Sequence, residues 1–418
     1  MPRRICLILS FLLTLGLLVF SYWVTNLRYP ISGEKLLLAK LETARSYFQE
    51  EANRVNDSVL FINVAFDKAL YPVKDEFGIP DGKIQATDRE KLLRLLTYLK
   101  MNDNYRYILL DIFMGNDIHT EWDKELFATI ESMDRIVIPC HLDMPLADMR
   151  LMKKAGLADY YLTLSESDFV KYPYLNDSIK SIPIKMYENI TGRKVTKHGI
   201  FYLEGWNLVR KSIVLTFDIL ANDKYDDDGN IVWYNLGMEL LDDSIPEIGA
   251  RGSKQLWENP DLTKNKYIVV GAFNGNDDNH ITFQGNMSGA VINFNAFISL
   301  LNKHHYVSFM LIVILFIVFF IMCYITLQGK SFQNIVQVNL SNSRNKVVSW
   351  IAQIILLFNS WIGYSTLLSL LCISTYLVLG EAYDIFITAT AFYLLSRIVR
   401  IVDKINKPYK SWIKEKQL

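Results

Sequence analysis

The densest run of chemically capable side chains in this 418-residue chain is Gly271-Ala-Phe-Asn-Gly-Asn-Asp-Asp-Asn-His280-Ile-Thr282, which overlaps the end of the apolar stretch Lys266–Phe273. Carboxylates beside an imidazole can ligate a metal or exchange protons. Asp67 follows a second apolar run, Val59–Phe66, and Asp111 lies inside a third, Tyr107–Phe113, with Asp117 and His119 a few residues on. If these runs are parallel strands, their carboxyl ends share one edge, which is where such sheets bind ligands. Asp67, Asp111, Asp278, His280 and Thr282 then form a candidate ligand-binding set. The same residue types also cap helices and close turns, and no HExxH-like ligand spacing accompanies them. Structural turns, a ligand edge and catalysis are therefore three readings of one cluster, and the sequence assigns no catalytic residue, metal or cofactor.

Other motifs are weaker. Asp226-Asp-Asp-Gly229 opens like a calcium loop but lacks the EF-hand pattern and its distal Glu, so it reads as a solvated turn. Gly285 and Gly289 flank Asn286-Met-Ser, either an anion-binding turn before a helix or only a tight connection. No GxSxG, Walker A or catalytic Cys–His pattern occurs. Of four cysteines, Cys6, Cys323 and Cys372 lie in apolar segments and Cys140 is alone in a strand-like run. That is neither a disulfide framework nor a zinc spacing.

The elements that must position these residues alternate. Val59–Phe66, Tyr107–Phe113, Arg135–His141 and Lys266–Phe273 are apolar runs suited to strands buried on both faces. Asp88–Leu99 and Glu121–Met133 have the helical apolar period, the first with Thr87 or Asp88 as N-cap. Strands alternating with helices imply an α/β domain with a mostly parallel sheet. The stretch 145–255 is less regular, with a strand-like Ile213–Ile219. A helix over Ser288–Leu301 runs almost directly into the next apolar segment.

Around this domain the apolar segments are spaced one, then three. Ile5–Leu27, Tyr306–Gly329 and Val347–Gly380 carry no charge, and a weaker segment covers Ile385–Val402. About 20 apolar residues suffice to cross a bilayer. The expected division is 1–27, start and first span; 28–305, α/β domain; 306–329, second span; 330–363, loop with a possible interfacial helix rich in Trp and amide side chains; 364–402, third and fourth spans; and 403–418, a basic tail. The sequence leaves open whether 347–380 is one span or an interfacial helix plus a span. The first segment is expected to be a retained anchor, because no small-x-small cleavage site follows it.

Net charge is zero overall, yet Arg28–His305 carries 40 acidic and 32 basic residues. Arg3, Arg4, Lys330, Arg344, Lys346, Arg397, Arg400, Lys404 and Lys407 flank the apolar segments on the other side. The positive-inside rule then places both termini and the 328–346 loop in the cytoplasm and the large domain outside; the expected location is a bacterial plasma membrane. Arg344, Lys346, Arg397, Arg400, Lys404 and Lys407 form a candidate cytoplasmic surface, with Arg397 and Arg400 snorkelling from the last span.

The segment YIVVGAFNGNDDNHITFQGNMSGAVINFNAFISLL resembles the ending of the CHASE2 extracellular sensor domain. Asp278, His280 and Thr282 match that family's Asp-x-His-x-Thr stretch, Ser288-Gly289 its small-residue turn and Asn295-Ala296 its helix. VLFINVAFD and YILLDIFMG are similar to its opening strands, and Asp226–Gly229 lies where it has an Asp-Gly turn. Phe283 stands where many members have Pro, no basic residue follows the Asp-Gly turn, and 145–210 does not align. The resemblance implies a sensor domain held after one span and before three.

Such receptors usually continue into an enzyme, whereas here about 16 residues follow Val402. The expected function is a membrane sensor or receptor subunit, not an enzyme. It would bind a ligand outside and signal through a coupling helix (Asn295, Leu301, His305) to a separate effector. The alternative is an oligomeric scaffold or pore-forming component of a larger assembly, and the third and weakest reading is a metal-dependent external enzyme. Membrane lipids, an effector protein and a second copy of the chain are the expected partners, and nucleic acid is not.

Overall fold

The computed structural model describes residues 3–26, 40–41, 58–74, 77, 79–115, 118–158, 168–169, 171–175, 179–215, 233–235, 250–251, 259–273, 279–282, 285–328, 361–381, 383, 385, 387–399 and 401–402. Four apolar runs become the heart of one sheet: β1 (Val59–Asn63), β4 (Tyr107–Leu110), β5 (Ile136–Cys140) and β15 (Tyr267–Gly271). With β6 (Ala155–Leu157), β13 (Trp233–Asn235) and β14 (Ala250–Arg251) they form a seven-stranded sheet ordered β14-β13-β1-β15-β4-β5-β6. Every pairing in it is parallel.

Successive side chains on these strands point to opposite faces, and each face has its own apolar core. Phe61, Tyr107, Leu109 and Val269 join one, while Leu60, Ile62, Ile108, Leu110 and Val270 join the other. The second core is covered by α2 (Arg89–Asn102) and α3 (Asp123–Ser132). Asp88 caps α2, accepting from Glu90 N and Lys91 N at 3.0 and 3.2 Å. The first core is covered by α4 (Ile182–Thr191) and α5 (Gly289–Leu301). In α5 every residue but the last is buried, so its apolar surface faces protein all round.

Smaller sheets flank this sandwich. β2 (Lys68–Lys74) and β3 (Pro80–Thr87) make a hairpin. β9 (Val195–His198), β10 (Phe201–Glu204) and β11 (Asn207–Val209) make an antiparallel meander. β12 (Ser212–Val214) pairs with β8 (Lys171–Pro173). β16 (Asn279–Thr282) pairs with β17 (Gly285–Ser288) and with β7 (Asp168–Phe169). Gly285 and the residues up to Ser288 are thus a hairpin strand rather than the anion-binding turn that the glycines suggested.

Two helices, α1 (Arg3–Thr25) and α6 (Phe309–Leu327), are long and apolar enough to cross a membrane. They pair with each other and share a core with α7 (Trp361–Leu379) and α8 (Ile387–Val399). The face of α1 turned inward is small and polar: Cys6, Ser10, Thr14, Ser21 and Thr25 are buried, while Ile8, Phe11, Leu12 and Trp23 are exposed. Small residues let helix backbones approach, and the hydroxyls of Ser10 and Thr14 bond back to the carbonyls four residues earlier. α7 starts at Trp361, three residues before the expected third span. The expected interfacial stretch before it lies outside the described residues.

α5 does not run on into α6. The chain turns through 302–308, with Lys303 at φ 62°, and Ser308 caps α6 by accepting from Leu311 N at 3.1 Å.

Candidate functional site

The direction of α5 fixes the layout. At its start, a Cβ added to Gly271, the last residue of β15, would lie 2.8 Å from Ala290 Cβ. Further along, Phe294 and Phe297 meet Tyr267, the first residue of β15, with ring centroids 5.9 and 5.3 Å apart. α5 therefore runs antiparallel to β15. It begins at the carboxyl edge of the sheet and ends beyond the amino edge, where α6 begins. Thirteen residues at 1.5 Å each make it about 20 Å long.

At the carboxyl edge, β15 sits between β1 and β4, so the segments carrying Asp67 and Asp111 flank it. Asp111 N donates to Val270 O at 2.8 Å, and Asp111 Cβ lies 3.7 Å from the Cβ position of Gly271. Asp67 is 3% exposed; its carboxylate accepts from Lys91 Nζ at 2.8 Å and its carbonyl from Asp88 N at 2.8 Å. Asn63 Oδ1 accepts from Ala65 N and Phe273 N, tying the ends of β1 and β15 together. His280 and Thr282 lie on β16, in the separate three-stranded sheet whose hairpin leads into α5. Thr282 is buried and pairs with Gly285 and Phe169. Asp117, Asp278 and Asp226–Gly229 lie outside the described residues, as do Arg344, Lys346, Arg400, Lys404 and Lys407. Among the described residues no group of three His, Cys, Asp or Glu side chains is arranged to hold a metal. Cys140 and the three helix cysteines are buried and not joined in disulfides.

The opposite end carries a polar collar where the sandwich meets the apolar helices. Its centre is Glu204, at the end of β10 and 4% exposed. His305 Nε2 lies 3.0 Å from Glu204 Oε2; the Tyr306 hydroxyl donates to Oε1 at 2.6 Å; the Tyr187 hydroxyl, from α4, donates to both oxygens at 3.0 and 3.1 Å. Arg193 Nη1 is 3.6 Å from Oε1. Burial works to raise the Glu204 carboxyl, but the hydrogen bonds from His305 and Tyr306 outweigh it and hold the pKa below the usual carboxylate value. Burial pushes His305 down, only partly offset by Glu204. Burial and the Glu204 charge push Tyr187 and Tyr306 up. The consistent state is a carboxylate surrounded by donors, with His305 neutral and carrying its proton on Nε2. His305 Nδ1 has no hydrogen-bond partner among the described residues, and the rings of Tyr174, Tyr187 and Tyr306 stand nearly edge-on around the imidazole at 5.9, 5.3 and 4.6 Å.

A second buried pair joins the collar to the helices. Arg210 Nη2 lies 3.2 Å from Glu381 Oε2, each side chain 8% exposed. Glu381 follows α7 and also accepts from Ser308 N, at the start of α6, at 3.2 and 3.0 Å. The end of α1 joins as well: the Tyr22 hydroxyl donates to Val209 O at 2.7 Å and accepts from Tyr202 N at 3.0 Å, and Asn26 Oδ1 accepts from Lys211 N. Main-chain bonds complete the seam, Arg210 N to His305 O at 2.8 Å and Val307 N to Leu208 O at 2.9 Å. The end of α1, the start of α6 and the end of α7 thus meet the β10–β12 region at one level.

Of the expected coupling residues, Asn295 lies wholly buried in α5, donating to Val291 O at 3.0 Å, and Leu301 closes that helix. His305 belongs to the turn after the helix rather than to it. Arg397, on α8, donates to the Tyr393 hydroxyl at 2.9 and 2.7 Å and lies over its ring. Glu204, Arg210 and Glu381 were not singled out by the sequence. The available signal was position: Glu381 is the first charge after the third apolar run, and His305 immediately precedes the second. No family model, curated protein or solved structure matches this chain.

Proposed function

We propose that this chain is a multi-pass receptor subunit of a bacterial plasma membrane, with the α/β domain outside and α1, α6, α7 and α8 as four spans. Two facts support the membrane reading. All four helices carry large apolar side chains on their outer surface, as with Ile317 and Ile321 on α6, Leu370 and Leu377 on α7, and Leu394 and Ile398 on α8, while α1 turns small and polar residues inward. An outward apolar surface of that extent is matched to lipid rather than to water. In addition, helix ends and starts alternate at the collar, as spans leading out, in and out again require. The basic flanks then lie in the cytoplasm.

The observation that carries the receptor reading is α5. It is a fully enclosed helix that begins against Gly271 and Asp111 at the distal edge and ends at the collar, where three of the four apolar helices are tied in. A ligand at the distal edge that favours one seating of α5 shifts the collar, and with it the bundle, by its differential affinity for the two seatings. Asp67, Asp111, Asp278 and His280 are the proposed binding side chains, consistent with the resemblance to CHASE2 sensors, and the output is read by a partner protein.

The test is a distance measurement between spin labels at Leu7 and Ile321, both exposed on neighbouring helices, in reconstituted protein. Gly271→Ala, which crowds Ala290, is expected to shift the distance distribution, while Met101→Ala on the exposed end of α2 leaves it unchanged. An unshifted distribution in a folded Gly271→Ala protein rejects the coupling. Exclusive labelling of a Met101→Cys variant from the cytoplasmic side rejects the topology.

A further inference from the structure

Below the collar, on the flank of the bundle, α1 and α6 leave a cavity of about 140 Å³. Its walls include Leu18, Val19, Tyr22, Phe201, Val307 and Leu311. The wall is almost wholly apolar, and its rim continues onto exposed apolar side chains of α1 such as Leu15 and Val19. At its upper end stand the Tyr22 hydroxyl and Arg210. Beside it lies the β9–β11 meander. Phe201 meets Tyr22 with centroids 5.5 Å apart. In the register of β9 with β10, His198 faces Phe201 and Lys197 faces Tyr202. One strand spacing, about 5 Å, therefore separates the groove from His198, and Lys194, four residues earlier, is in phase with it on the same face; both are exposed, while Lys197 lies over the Tyr202 ring on the other face. Ile200, at the tip of the same hairpin, is exposed.

We propose that this groove and the meander together bind one anionic glycerophospholipid of the leaflet facing the α/β domain. An acyl chain lies between α1 and α6, and the phosphate faces Lys194 and His198. The apolar groove alone fits any acyl chain, and the charge of the meander selects an anionic head. Lysines held near an anionic surface each add measurably to binding. Bilayer lipid is the occupant because the groove opens on the flank that the proposed spans turn to the membrane. The proposal rests on that membrane reading.

The test uses the full chain in detergent and native mass spectrometry, with phosphatidylglycerol and phosphatidylcholine of identical acyl chains. The wild type is expected to retain phosphatidylglycerol about tenfold more strongly. Lys194→Glu with His198→Glu is expected to bring the two lipids level. Leu18→Trp, filling the groove, is expected to weaken both, with circular dichroism confirming that each variant folds. Equal retention of the two lipids by the wild type overturns the proposal. So does unchanged retention in both folded variants, or displacement of phosphatidylglycerol by inorganic phosphate alone. If the reconstituted chain is extracted by alkaline carbonate, the membrane reading fails instead, a result separable from any of these.

Discussion

At the carboxyl edge of the sheet, Asp67 meets Lys91, whose side chain is 40% exposed, and Asp111 is only partly covered. At the opposite end, Glu204 accepts from three side chains of which His305 is wholly buried, and the Arg210–Glu381 pair is nearly sealed from solvent. The side-chain ion pairs differ in reach, although the Asn63–Phe273 bond at the distal edge also joins residues 210 apart. Asp67 and Lys91 are 24 residues apart, whereas Arg210 and Glu381 are 171 apart and Tyr22 and Val209 are 187 apart. Asp67 is as buried as Glu204, but its partner Lys91 reaches water, and an ion pair screened at one end contributes at most about 1 kcal/mol. The collar joins distant parts of the chain in low dielectric, where each lost partner strands a charge. An edge of the first kind can rearrange around a ligand; a seam of the second kind transmits movement as a unit.

The contrast is broken most directly at its centre. Glu204→Ala leaves the Tyr187 and Tyr306 hydroxyls and the His305 N–H as three unsatisfied donors, and is expected to cost about 3–5 kcal/mol in denaturant unfolding of the full chain. A cost below 1 kcal/mol would equate the collar with the distal edge. Arg210→Ala leaves Glu381 with only main-chain donation from Ser308, an expected loss of about 3 kcal/mol. A double-mutant cycle with Glu381→Ala is expected to show strong coupling. Gly271→Ala drives a methyl into Ala290 and is expected to cost about 1–3 kcal/mol, placing α5 with the rigid half.

Acidification sharpens the comparison further. His305 titrates lower in the folded chain than in the unfolded one, so its contribution is full above its unfolded value of about 6.5 and declines as pH falls below it. Glu204, also lowered, adds a second loss below the ordinary carboxylate value of about 4.3. The thermal midpoint is expected to drop between pH 7 and pH 5, and His305→Gln is expected to flatten that drop. A midpoint that rises on acidification would refute the neutral assignment of His305. The smallest effect belongs to the distal edge, where Asp111→Asn is expected to change stability by no more than about 0.5 kcal/mol.

Much of the scaffold was legible in the chain. VLFIN, YILL, IVIPC and YIVVG are apolar without alternation because both faces of the sheet are covered, and Asp88 announced the start of α2. Strand order was not legible, because apolar pattern reports burial and not neighbours, so nothing in YIVVG says that it lies between VLFIN and YILL. That Asp67 and Asp111 share an edge was legible only as a consequence of parallel strands, which bring them there together. His280 and Thr282 belong to a side hairpin that no periodicity marked. The collar was hidden for a different reason: Glu204, Arg210 and Glu381 each stand in ordinary polar contexts, and their partnership exists only once 171 residues of chain have folded back.

The placement of β15 between β1 and β4 also sets an order of assembly. During synthesis β1 and β4 emerge some 160 residues or more before the strand that joins them, and until then each presents an unpaired edge open to mispairing. The sheet closes only when Tyr267–Gly271 arrives, and the first apolar residues of α6 follow within 40 residues. Completion of the domain and emergence of the second long apolar helix are therefore nearly simultaneous events. The most vulnerable moment in the life of this protein falls just before its central strand arrives.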